Sequence, residues 1–479
     1  MSNTRISRRE ALIGGAALAL SGCVGKEPDA DRDAAGEGVF VNDVHARLSR
    51  TRVREIIEPT TPKALAKAIA TSDGASICGG RYCSGGQPFL RDGRLIDMRR
   101  LDRVLNVDAE RGLITAEAGI RWPKLMAAID KHAPMWAIQQ KQSGADEVSL
   151  GGTLSVNAHG RCLAAAPIVQ DVEAIDVLDR AGNVVRCTRS NNAERFCRVI
   201  GGYGLFGAMT SVTSRLVPKR PLVMRVQLAA ATDAVGLMDE AAGRGATHGD
   251  FQYNVDAASP GFMREGLVVT YEPTDARPNR KSADVAASFT QLAVAAHLDK
   301  SAAWAGYRRQ MLGQEGAVDW NGAWQAATYV AGYHQHVDAA TDAPAGSEVL
   351  SEVFVPRERL AEFLAAMGEV IRRFDADIIY GNVRLIEPDT TSALPWARGR
   401  FACIVFNQHT DHTPAGTALT RDAFRGILDE ALARDGTYYL AHHTFARPDQ
   451  LAAAYPNLDA VFADPHRGPL RSDWSALHA

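Results

Sequence analysis

Apolar residues recur at helical spacing twice in the last third of the chain. The first run covers residues 360–374, and the second includes Phe424 and Leu428 and stops near Gly436. Predicted strands flank these two runs at 352–355, 378–385, 401–406 and 438–443. The order strand, helix, strand, strand, helix, strand predicts a sheet that carries helices on one face and leaves the other face free to cover a ligand.

The first half of the chain alternates more irregularly between helical and strand patterns. Thr61 is predicted as the N-cap of a helix with Pro62 in its first turn, and Trp122 opens a second helix. Predicted strands lie at 75–78, 94–98, 113–118, 172–178, 184–188 and 212–217. The polar turn at 179–183 predicts a β-hairpin, whereas residues 225–350 show no comparably clear pattern. Together the two halves predict an α+β fold.

The predicted strand at 378–385 separates polar from apolar side chains. Alternation puts Tyr380, Asn382 and Arg384 on one face. The apolar face, which is predicted to pack on the two amphipathic helices, consists of Ile379, Gly381, Val383 and Leu385. The polar face should then point toward a bound ligand.

Composition agrees with a globular protein of at least two domains. The 479 residues are 46% hydrophobic and 23% charged, which is enough apolar material for a packed core. The formal net charge of -3 provides no basic surplus, so nothing indicates nucleic acid as a partner. Beyond the first two dozen residues, no apolar run is long enough to span a bilayer.

The first 23 residues have the pattern of an export signal. Paired arginines, Arg8 and Arg9, precede an apolar stretch at 11–20, as in twin-arginine (Tat) signals. The sequence Leu-Ser-Gly-Cys that ends at Cys23 resembles a bacterial lipobox, which predicts a lipid anchor on Cys23. Residues 24–48 would form a tether and lead-in. The expected location is therefore the periplasm or cell envelope, and the alternative is a soluble periplasmic protein in which Cys23 follows the cleavage site by chance.

Six cysteines remain after the predicted signal. None has the spacing of a zinc site, and the glycine-rich loop between Cys78 and Cys83 disfavours a disulfide there. We expect free thiols, and the sequence predicts no metal site. A short His-rich stretch at 333–336 is too weak a pattern to change this expectation.

Three glycine-rich segments lie in the first half, and one of them imitates a dinucleotide-binding motif. Gly202, Gly204 and Gly207 satisfy the G-x-G-x-x-G spacing, but a charged stretch precedes them and a β-rich run follows. Because a Rossmann motif needs a strand before and a helix after its glycines, we reject a nicotinamide-binding site. The other two segments are 79–87 and 142–160, where close-set glycines allow backbone N–H groups to approach a pyrophosphate.

Taken in order, these segments resemble the vanillyl-alcohol oxidase / p-cresol methylhydroxylase (PCMH-type) family of FAD-binding proteins. The matching pieces are the Gly-Gly-Arg loop at 79–87, the segment 116–122, the run 149–160 and the segment 201–207. The resemblance implies a PCMH-type FAD-binding domain of two α+β subdomains at 49–220. It further implies an α+β cap domain with an antiparallel sheet at 221–445 and a C-terminal segment, 446–479, that returns to the FAD domain.

The resemblance also assigns cofactor-binding positions. The pyrophosphate loop would comprise Gly79, Gly80, Arg81, Tyr82, Cys83, Ser84 and Gln87. The ribityl chain and flavin ring would be lined by Gly119, Gln142, Ser143, Gly152, Ser155 and His159, and Gly207 would lie on the adenine side. Many relatives have a flavin-linked histidine where this chain has Tyr82, so we expect FAD to be bound non-covalently.

Candidate catalytic residues come from the cap. Arg384 could hold an anion or stabilise reduced flavin, with Asn382 and Tyr380 beside it on the same face, although a cross-strand ion pair would explain Arg384 equally well. Of the adjacent His442 and His443, only one can face the flavin, and the resemblance favours His443 as the base. The alternative for His443 is a structural, hydrogen-bonded histidine. Sugar-alcohol oxidases of this family carry an acid at the position of Asn382, so their substrate is not transferred.

The sequence therefore predicts an FAD-dependent oxidoreductase. It would transfer a hydride from a small organic substrate, an alcohol or a related C–H donor, to the flavin. Oxygen or an electron carrier would then reoxidise the flavin. The alternative is a non-catalytic or degenerate flavin-binding protein of the envelope, because Tyr82 and Asn382 both depart from the family pattern.

Overall fold

The computed structural model describes residues 31–32, 38–71, 74–179, 181–280, 285–326, 334–341 and 344–476. The predicted export signal at 1–23 lies outside these residues, as do residues 24–30 and 33–37 of the predicted tether and lead-in. Within the described part, the chain has no helix that is both long and apolar enough to cross a membrane.

The first region of the chain contributes twelve strands from the described residues, several of them short. They are β1 (Asp31–Arg32), β2 (Val39–Val41), β3 (Thr51–Val53), β4 (Glu55–Ile57), β5 (Ala75–Cys78), β6 (Arg94–Asp97), β7 (Val104–Asp108), β8 (Leu113–Glu117), β9 (Trp136–Ile138), β10 (Val172–Leu178), β11 (Val184–Cys187) and β12 (Met209–Pro218). Its helices are α1 (Pro62–Ala70), α2 (Trp122–His132), α3 (Leu150–Ser155) and α4 (Ala193–Val199), with 3-10 turns at Met98–Arg100 and Ile168–Asp171.

These strands form three sheets. A small antiparallel sheet joins β1, β2 and β3, and a parallel sheet has the order β4, β6, β5. The third sheet is antiparallel, with the order β11, β10, β12, β8, β7 and with β9 attached to the end of β12. The strands β10 and β11 form the hairpin that the turn at 179–183 predicted.

The helix α1 begins where the sequence predicted. The Thr61 hydroxyl accepts a hydrogen bond from the Ala64 backbone N–H at 3.1 Å, and Pro62 occupies the first turn. Leu65, which is fully buried, packs in a core with Ile96 of β6. This packing fixes the parallel sheet, and the loop that follows β5 is the first glycine-rich segment.

The second region is built around one large sheet. Its strands are β13 (Pro221–Ala230), β14 (His248–Tyr253), β15 (Glu265–Pro273), β16 (Val318–Trp320), β17 (Gly346–Pro356), β18 (Ile378–Ile386), β19 (Phe401–Asp411) and β20 (Thr437–Tyr438). They pair in the order β16, β13, β15, β14, β18, β19, β17, β20, with antiparallel neighbours throughout. Half of these strands come from residues 221–320, where the sequence pattern was unclear.

Helices cover this sheet on both faces, which corrects the prediction that only one face carries helices. They are α5 (Ala234–Gly243), α6 (Val285–Leu298), α7 (Lys300–Leu312), α8 (His334–Ala340), α9 (Leu360–Phe374) and α10 (Pro414–Leu432), with 3-10 turns at Ala323–Gln325 and Arg357–Arg359. The helix α9 buries Phe363, Leu364 and Met367, as the apolar spacing predicted. The helix α10 begins ten residues before its apolar run, because Thr413 caps it by accepting a hydrogen bond from Gly416 N–H at 3.0 Å.

One residue of the predicted apolar face lies on the other side. The pairing of β18 with β19 shifts register between Ile378 and Tyr380. A bulge of this kind inserts one extra residue and reverses the side on which that residue points. Ile379 therefore packs against α6 and α8, at Ala293, Ala296 and Val337, and not against α9 and α10.

The C-terminal part of the chain contacts the first region. It contains α11 (Pro448–Ala454), α12 (Leu458–Phe462) and α13 (Asp473–Ala476). Leu470 forms a parallel bridge with Ala75 of β5. The ring of Trp474 lies 4.8 Å from that of Tyr203, centroid to centroid, in the third glycine-rich segment.

Candidate active site

A cavity of about 960 Å³ lies between the first region and the large sheet. The three glycine-rich segments line one wall, which we call the floor. Side chains from the large sheet line the opposite wall, which we call the roof. A volume at the upper end of the range for small-molecule sites leaves room for a large cofactor together with a substrate.

The first loop of the floor depends on glycine at two positions. A Cβ atom on Gly79 would lie 2.0 Å from the Ser149 hydroxyl oxygen, and one on Gly80 would lie 2.6 Å from the Glu147 carbonyl oxygen. Any side chain here would force the first and second glycine-rich segments apart. The following residue, Arg81, adopts a positive φ of 61°, which turns the chain along the cavity.

The second and third segments approach the cavity with backbone atoms as well. Ser149 caps α3 by accepting a hydrogen bond from Gly152 N–H at 3.1 Å. Gly207 has φ 135°, a conformation open to glycine, and a Cβ atom there would lie 2.8 Å from a Val177 methyl carbon. All three segments thus present main chain to the cavity.

Most of the predicted cofactor-binding residues line the cavity together. They are Gly79, Gly80, Arg81, Tyr82, Cys83, Gln87, Gln142, Ser143, Gly152, Ser155, His159 and Gly207. Ser84 and Gly119 are outside this lining, which corrects the sequence-based assignment. The Ser84 carbonyl accepts a hydrogen bond from the Ser49 hydroxyl at 2.9 Å behind the loop. Gly119 is needed for a different close approach, because a Cβ there would lie 1.8 Å from the Met98 carbonyl oxygen.

Gln87 connects the floor to the segment that follows β20. Its side-chain amide donates hydrogen bonds to the carbonyl oxygens of Leu440, at 2.7 Å, and of His442. Its carbonyl oxygen accepts from Gly85 N–H at 2.9 Å. Gln87 therefore positions the loop relative to His442 in addition to lining the cavity.

The roof contains the three polar residues predicted on β18. Asn382 donates a hydrogen bond to the Tyr380 hydroxyl at 3.0 Å, and burial raises the pKa of Tyr380 to about 12. Arg384 is 6% exposed, and its buried Nε has no hydrogen-bond partner among the described residues. A buried guanidinium nitrogen without a partner is costly, so the arrangement favours a ligand that accepts hydrogen bonds.

Sequence reasoning missed the residues across from this strand. Phe251 of β14 pairs with Val383, so Asp250 and Gln252 lie on the same face as Arg384 and Asn382. Asp250 is buried, and its carboxylate lies 3.8 Å from the Arg161 guanidinium. Burial raises the pKa of Asp250, while the charges of Arg161 and Arg384 oppose that rise. The signal that could have identified Asp250 was its position as an acid within β14, a strand whose residues are all buried.

A second polar group lies where β17 and the segment after β20 meet the second glycine-rich segment. His159 Nε2 lies 2.8 Å from Glu352 Oε2, and His442 Nε2 lies 3.5 Å from Glu352 Oε1. Burial would raise the pKa of Glu352, but His159 and His442 together lower it well below its usual value. Glu352 is therefore a buried carboxylate between two imidazoles.

The catalytic assignment of His443 is wrong. The strand β20 ends at Tyr438 and the chain then turns, so strand alternation does not apply to the two histidines. His443 lies on the helix side of the sheet, where its Nε2 contacts the Ser351 hydroxyl at 2.8 Å and its ring centroid is 4.2 Å from that of Phe424. Burial lowers the pKa of His443 well below its usual value, so it is a neutral core residue. His442 faces the cavity instead.

Comparison with known proteins agrees with a cofactor-binding role for the floor. Residues 53–188 match the family model described as an FAD binding domain. The L-gulonolactone oxidase of Bos taurus is 30% identical over 170 residues, which cover 35% of this chain and 36% of the relative. The mitochondrial L-galactono-1,4-lactone dehydrogenase 1 of Oryza sativa subsp. japonica is 26% identical over 41% of this chain and 32% of its own length. An uncharacterized oxidoreductase from the fasciation locus of Rhodococcoides fascians is 26% identical over 60% of this chain and 64% of its own length.

The chain thus spans about a third of the length of the two lactone enzymes. The matches support a PCMH-type FAD-binding domain and FAD as its cofactor. They do not single out vanillyl-alcohol oxidase within that family.

Proposed function

We propose that this protein is an FAD-dependent oxidoreductase that removes a hydride from a hydroxylated small molecule bound under the roof. The observation that carries the proposal is the cavity itself, in which a backbone-lined floor from the matched domain faces buried acids, imidazoles and guanidinium groups. Bound FAD supplies the hydride acceptor. The residues of the chain bind and orient the substrate and accept its proton.

The floor fits FAD in the way that the family resemblance implies. The Gly79–Gly80 turn leaves no space for a Cβ atom, so main-chain N–H groups there can approach a phosphate closely. Gln142, Ser143, Gly152 and Ser155 would lie along the rest of the cofactor. Non-covalent binding is supported by Cys83, because burial raises the pKa of its thiol to about 12 and so disfavours the reactive thiolate.

The roof residues would bind the substrate oxygens. Arg384 has hydrogen-bonding capacity directed to the cavity, and Asn382 has a buried side-chain oxygen without a partner in the described structure. These groups suit a ligand with several hydroxyl or carbonyl oxygens. A sugar lactone fits this description, and the two lactone enzymes among the relatives support the same class.

His442 is the best candidate for the base. Both ring nitrogens of His159 lie within hydrogen-bond distance of acceptors, Glu352 at 2.8 Å and the Gly160 carbonyl at 3.2 Å, so His159 is already engaged. His442 is at ion-pair distance from the same carboxylate but too far for a strong hydrogen bond. Glu352 would stabilise the positive charge that His442 acquires when it accepts the hydroxyl proton. Oxygen or an electron carrier would complete the cycle.

The first test is spectroscopic. The purified protein should show flavin absorption, and after acid precipitation the flavin should appear in the supernatant if it is non-covalently bound. Flavin in the pellet would instead indicate a covalent link. If neither fraction contained flavin, even after FAD had been added, the proposed function would be refuted.

The second test separates a catalyst from a non-catalytic flavin-binding protein. Anaerobic mixing with a panel of sugar lactones, polyols and hydroxy acids should bleach the flavin band for at least one compound class. Readmission of oxygen would then distinguish an oxidase from a dehydrogenase. A flavoprotein that dithionite reduces but no compound of the panel bleaches would support the degenerate alternative.

We also propose export through the twin-arginine route and lipid attachment at Cys23, on the pattern at 7–23. Fractionation of cells should then find the protein in the envelope. Cys23→Ala should release it to the soluble periplasmic fraction, while Arg8→Lys combined with Arg9→Lys should retain it in the cytoplasm. Unchanged fractionation of both variants would overturn this proposal.

A further inference from the structure

A second cluster of imidazole and carboxylate groups lies outside the cavity, at the far end of the large sheet. Glu348 of β17 pairs directly across from His409 of β19, and His297 reaches them from the last turn of α6. His297 Nε2 lies 2.7 Å and His409 Nδ1 lies 3.1 Å from the same Oε1 atom of Glu348. The side chains of Glu348, His297 and His409 are 1%, 6% and 11% exposed.

We propose that His297, Glu348 and His409 bind a divalent transition-metal ion, and that Zn²⁺ is the ion that suits this site best. The three ligand atoms already lie within 4.8 Å of one another. Nitrogen ligands about 2.0–2.1 Å from a tetrahedral Zn²⁺ lie about 3.3 Å from their neighbouring ligand atoms. The two contacts to Glu348 therefore need to lengthen by less than about 1 Å to admit the ion.

The outer contacts of both histidines match those of metal-bound imidazoles. Such histidines donate their second ring N–H to a carboxylate, which fixes the ring orientation. Here His297 Nδ1 lies 3.2 Å from Asp377 Oδ2, and His409 Nε2 lies 3.4 Å from Asp411 Oδ1. Each ligand histidine thus has a carboxylate on the side that faces away from Glu348.

The charges of the cluster also suit a divalent cation. Three carboxylates contact the two imidazoles, and Lys300, which pairs with Asp377, is the ammonium group beside them. When both imidazoles are deprotonated, as metal ligation requires, this group carries a net charge of minus two. One divalent ion would neutralise it, and two imidazole nitrogens with one carboxylate form a donor set that suits zinc better than magnesium.

The ion would have access from solvent and a structural effect on the cavity. The side chains of Asp377 and Asp411 are 37% and 36% exposed, so the two outer carboxylates reach solvent while the three ligands lie beneath them. Bound metal would fasten the end of α6 to β17 and β19. Leu292 of α6 lines the cavity, so the metal would hold one of its walls in position.

The test is metal binding by the flavin-loaded, full-length protein. After chelator treatment and dialysis against Zn²⁺, the wild type should retain about one zinc per chain by elemental analysis, and Mg²⁺ should not replace it. Glu348→Gln and His409→Gln should abolish this zinc while the ratio of flavin to protein stays at the wild-type value. Asp377→Asn should keep the site with about 10- to 100-fold lower affinity. His466→Gln, at an exposed histidine that contacts Asp464, is the control and should retain zinc.

X-ray absorption at the zinc edge of the wild type provides a measurement that needs no variant. Two nitrogens and one or two oxygens at about 2.0–2.2 Å are expected. A sulfur ligand at about 2.3 Å would overturn the proposal, because it would indicate binding at His159, Glu352 and Cys403 inside the active-site cavity. Absence of zinc from the wild type, or its retention by His409→Gln, would overturn it as well.

Discussion

The floor and the roof of the cavity are built in different ways. The floor presents main chain, and its glycines are required because neighbouring segments leave no room for a Cβ atom. The roof presents side chains that come from β14, β17 and β18, which are far apart in sequence. A floor made of backbone can hold the same cofactor for many substrates, whereas a change of a few roof side chains can change the substrate.

The largest effect should come from removing the proposed base. His442→Gln should lower kcat/KM about 10²- to 10⁴-fold, because a positioned general base contributes on that order. Flavin content should remain unchanged, since the Gln87 contact to residue 442 uses a backbone carbonyl. Steady-state kinetics and the flavin spectrum check both expectations.

His443→Gln is the matched control for this substitution. His443 packs against Phe424 and Phe445 on the opposite side of the sheet, so its replacement should lower the melting temperature and leave kcat/KM nearly unchanged. If His443→Gln lost activity in a fully folded protein while His442→Gln did not, the assignment of the two histidines would be reversed.

Arg384→Leu should have the next largest effect. Loss of a buried donor that stabilises a developing negative charge costs about 10²- to 10³-fold in rate. We expect the rate constant of anaerobic flavin reduction to fall by about this factor while flavin remains bound. Arg372→Leu on α9, at a partly exposed residue, controls for the loss of a positive charge. Equal effects of the two variants would refute a specific role for Arg384.

A methyl group added to the floor should weaken the binding of FAD. Gly79→Ala places a methyl group in contact with Ser149, and overpacking of this kind costs about 1–3 kcal/mol. Because about 1.4 kcal/mol is a tenfold change in affinity, FAD affinity should fall about 10- to 100-fold. Gly236→Ala on α5 is the control, since a Cβ there meets no atom within 4 Å. Titration of the FAD-free protein with FAD measures the effect, and an unchanged affinity would contradict a tight floor.

The smallest effect concerns Asp171, a buried acid of the first region that lies outside the cavity lining. Burial raises the pKa of Asp171 to about 7, and hydrogen bonds from Gln140 and Gln170 only partly oppose the rise. The folded protein therefore keeps this proton up to about pH 7, whereas the unfolded chain releases it near pH 4. The free energy of unfolding should consequently fall as the pH rises from about 4 to about 7.

Asp171→Asn should remove this slope. The variant should melt a few degrees above the wild type near pH 7.5 and at a similar temperature near pH 4.5, equivalent to about 1–3 kcal/mol at the higher pH. A wild-type advantage at the higher pH would show that Asp171 is ionised in the fold. Asp250 differs from Asp171 in having Arg161 and Arg384 close by, so Asp250→Asn should not stabilise the protein in the same way.

The same contrast explains what the sequence could predict. Floor residues follow one another within short segments, and the steric reasons for a glycine are local. Eleven of the residues from 79 to 159 that the sequence assigned to the cofactor accordingly line one cavity. Alternation on β18 likewise predicted Tyr380, Asn382 and Arg384. These predictions required only the types of residue at neighbouring positions along the chain.

The remaining roof residues depend on pairings that no local pattern reports. Asp250 reaches Arg384 through the β14–β18 pair, and Glu352 reaches His159 from the other region of the chain. His443 was assigned wrongly because the strand assumed for 438–443 ends at Tyr438. The cluster of His297, Glu348 and His409 was missed for the same reason, since its members are more than 50 residues apart along the chain.

The contact of the C-terminal part with the first region determines when the floor can become stable during synthesis. Leu470 joins the edge of β5, and Trp474 packs on Tyr203, so the floor gains its last supports only when synthesis has passed residue 474. Contacts of such large sequence separation form late and slowly. A chain truncated before Leu470 should therefore be unable to hold its cofactor firmly, and it should be captured by chaperones or proteases.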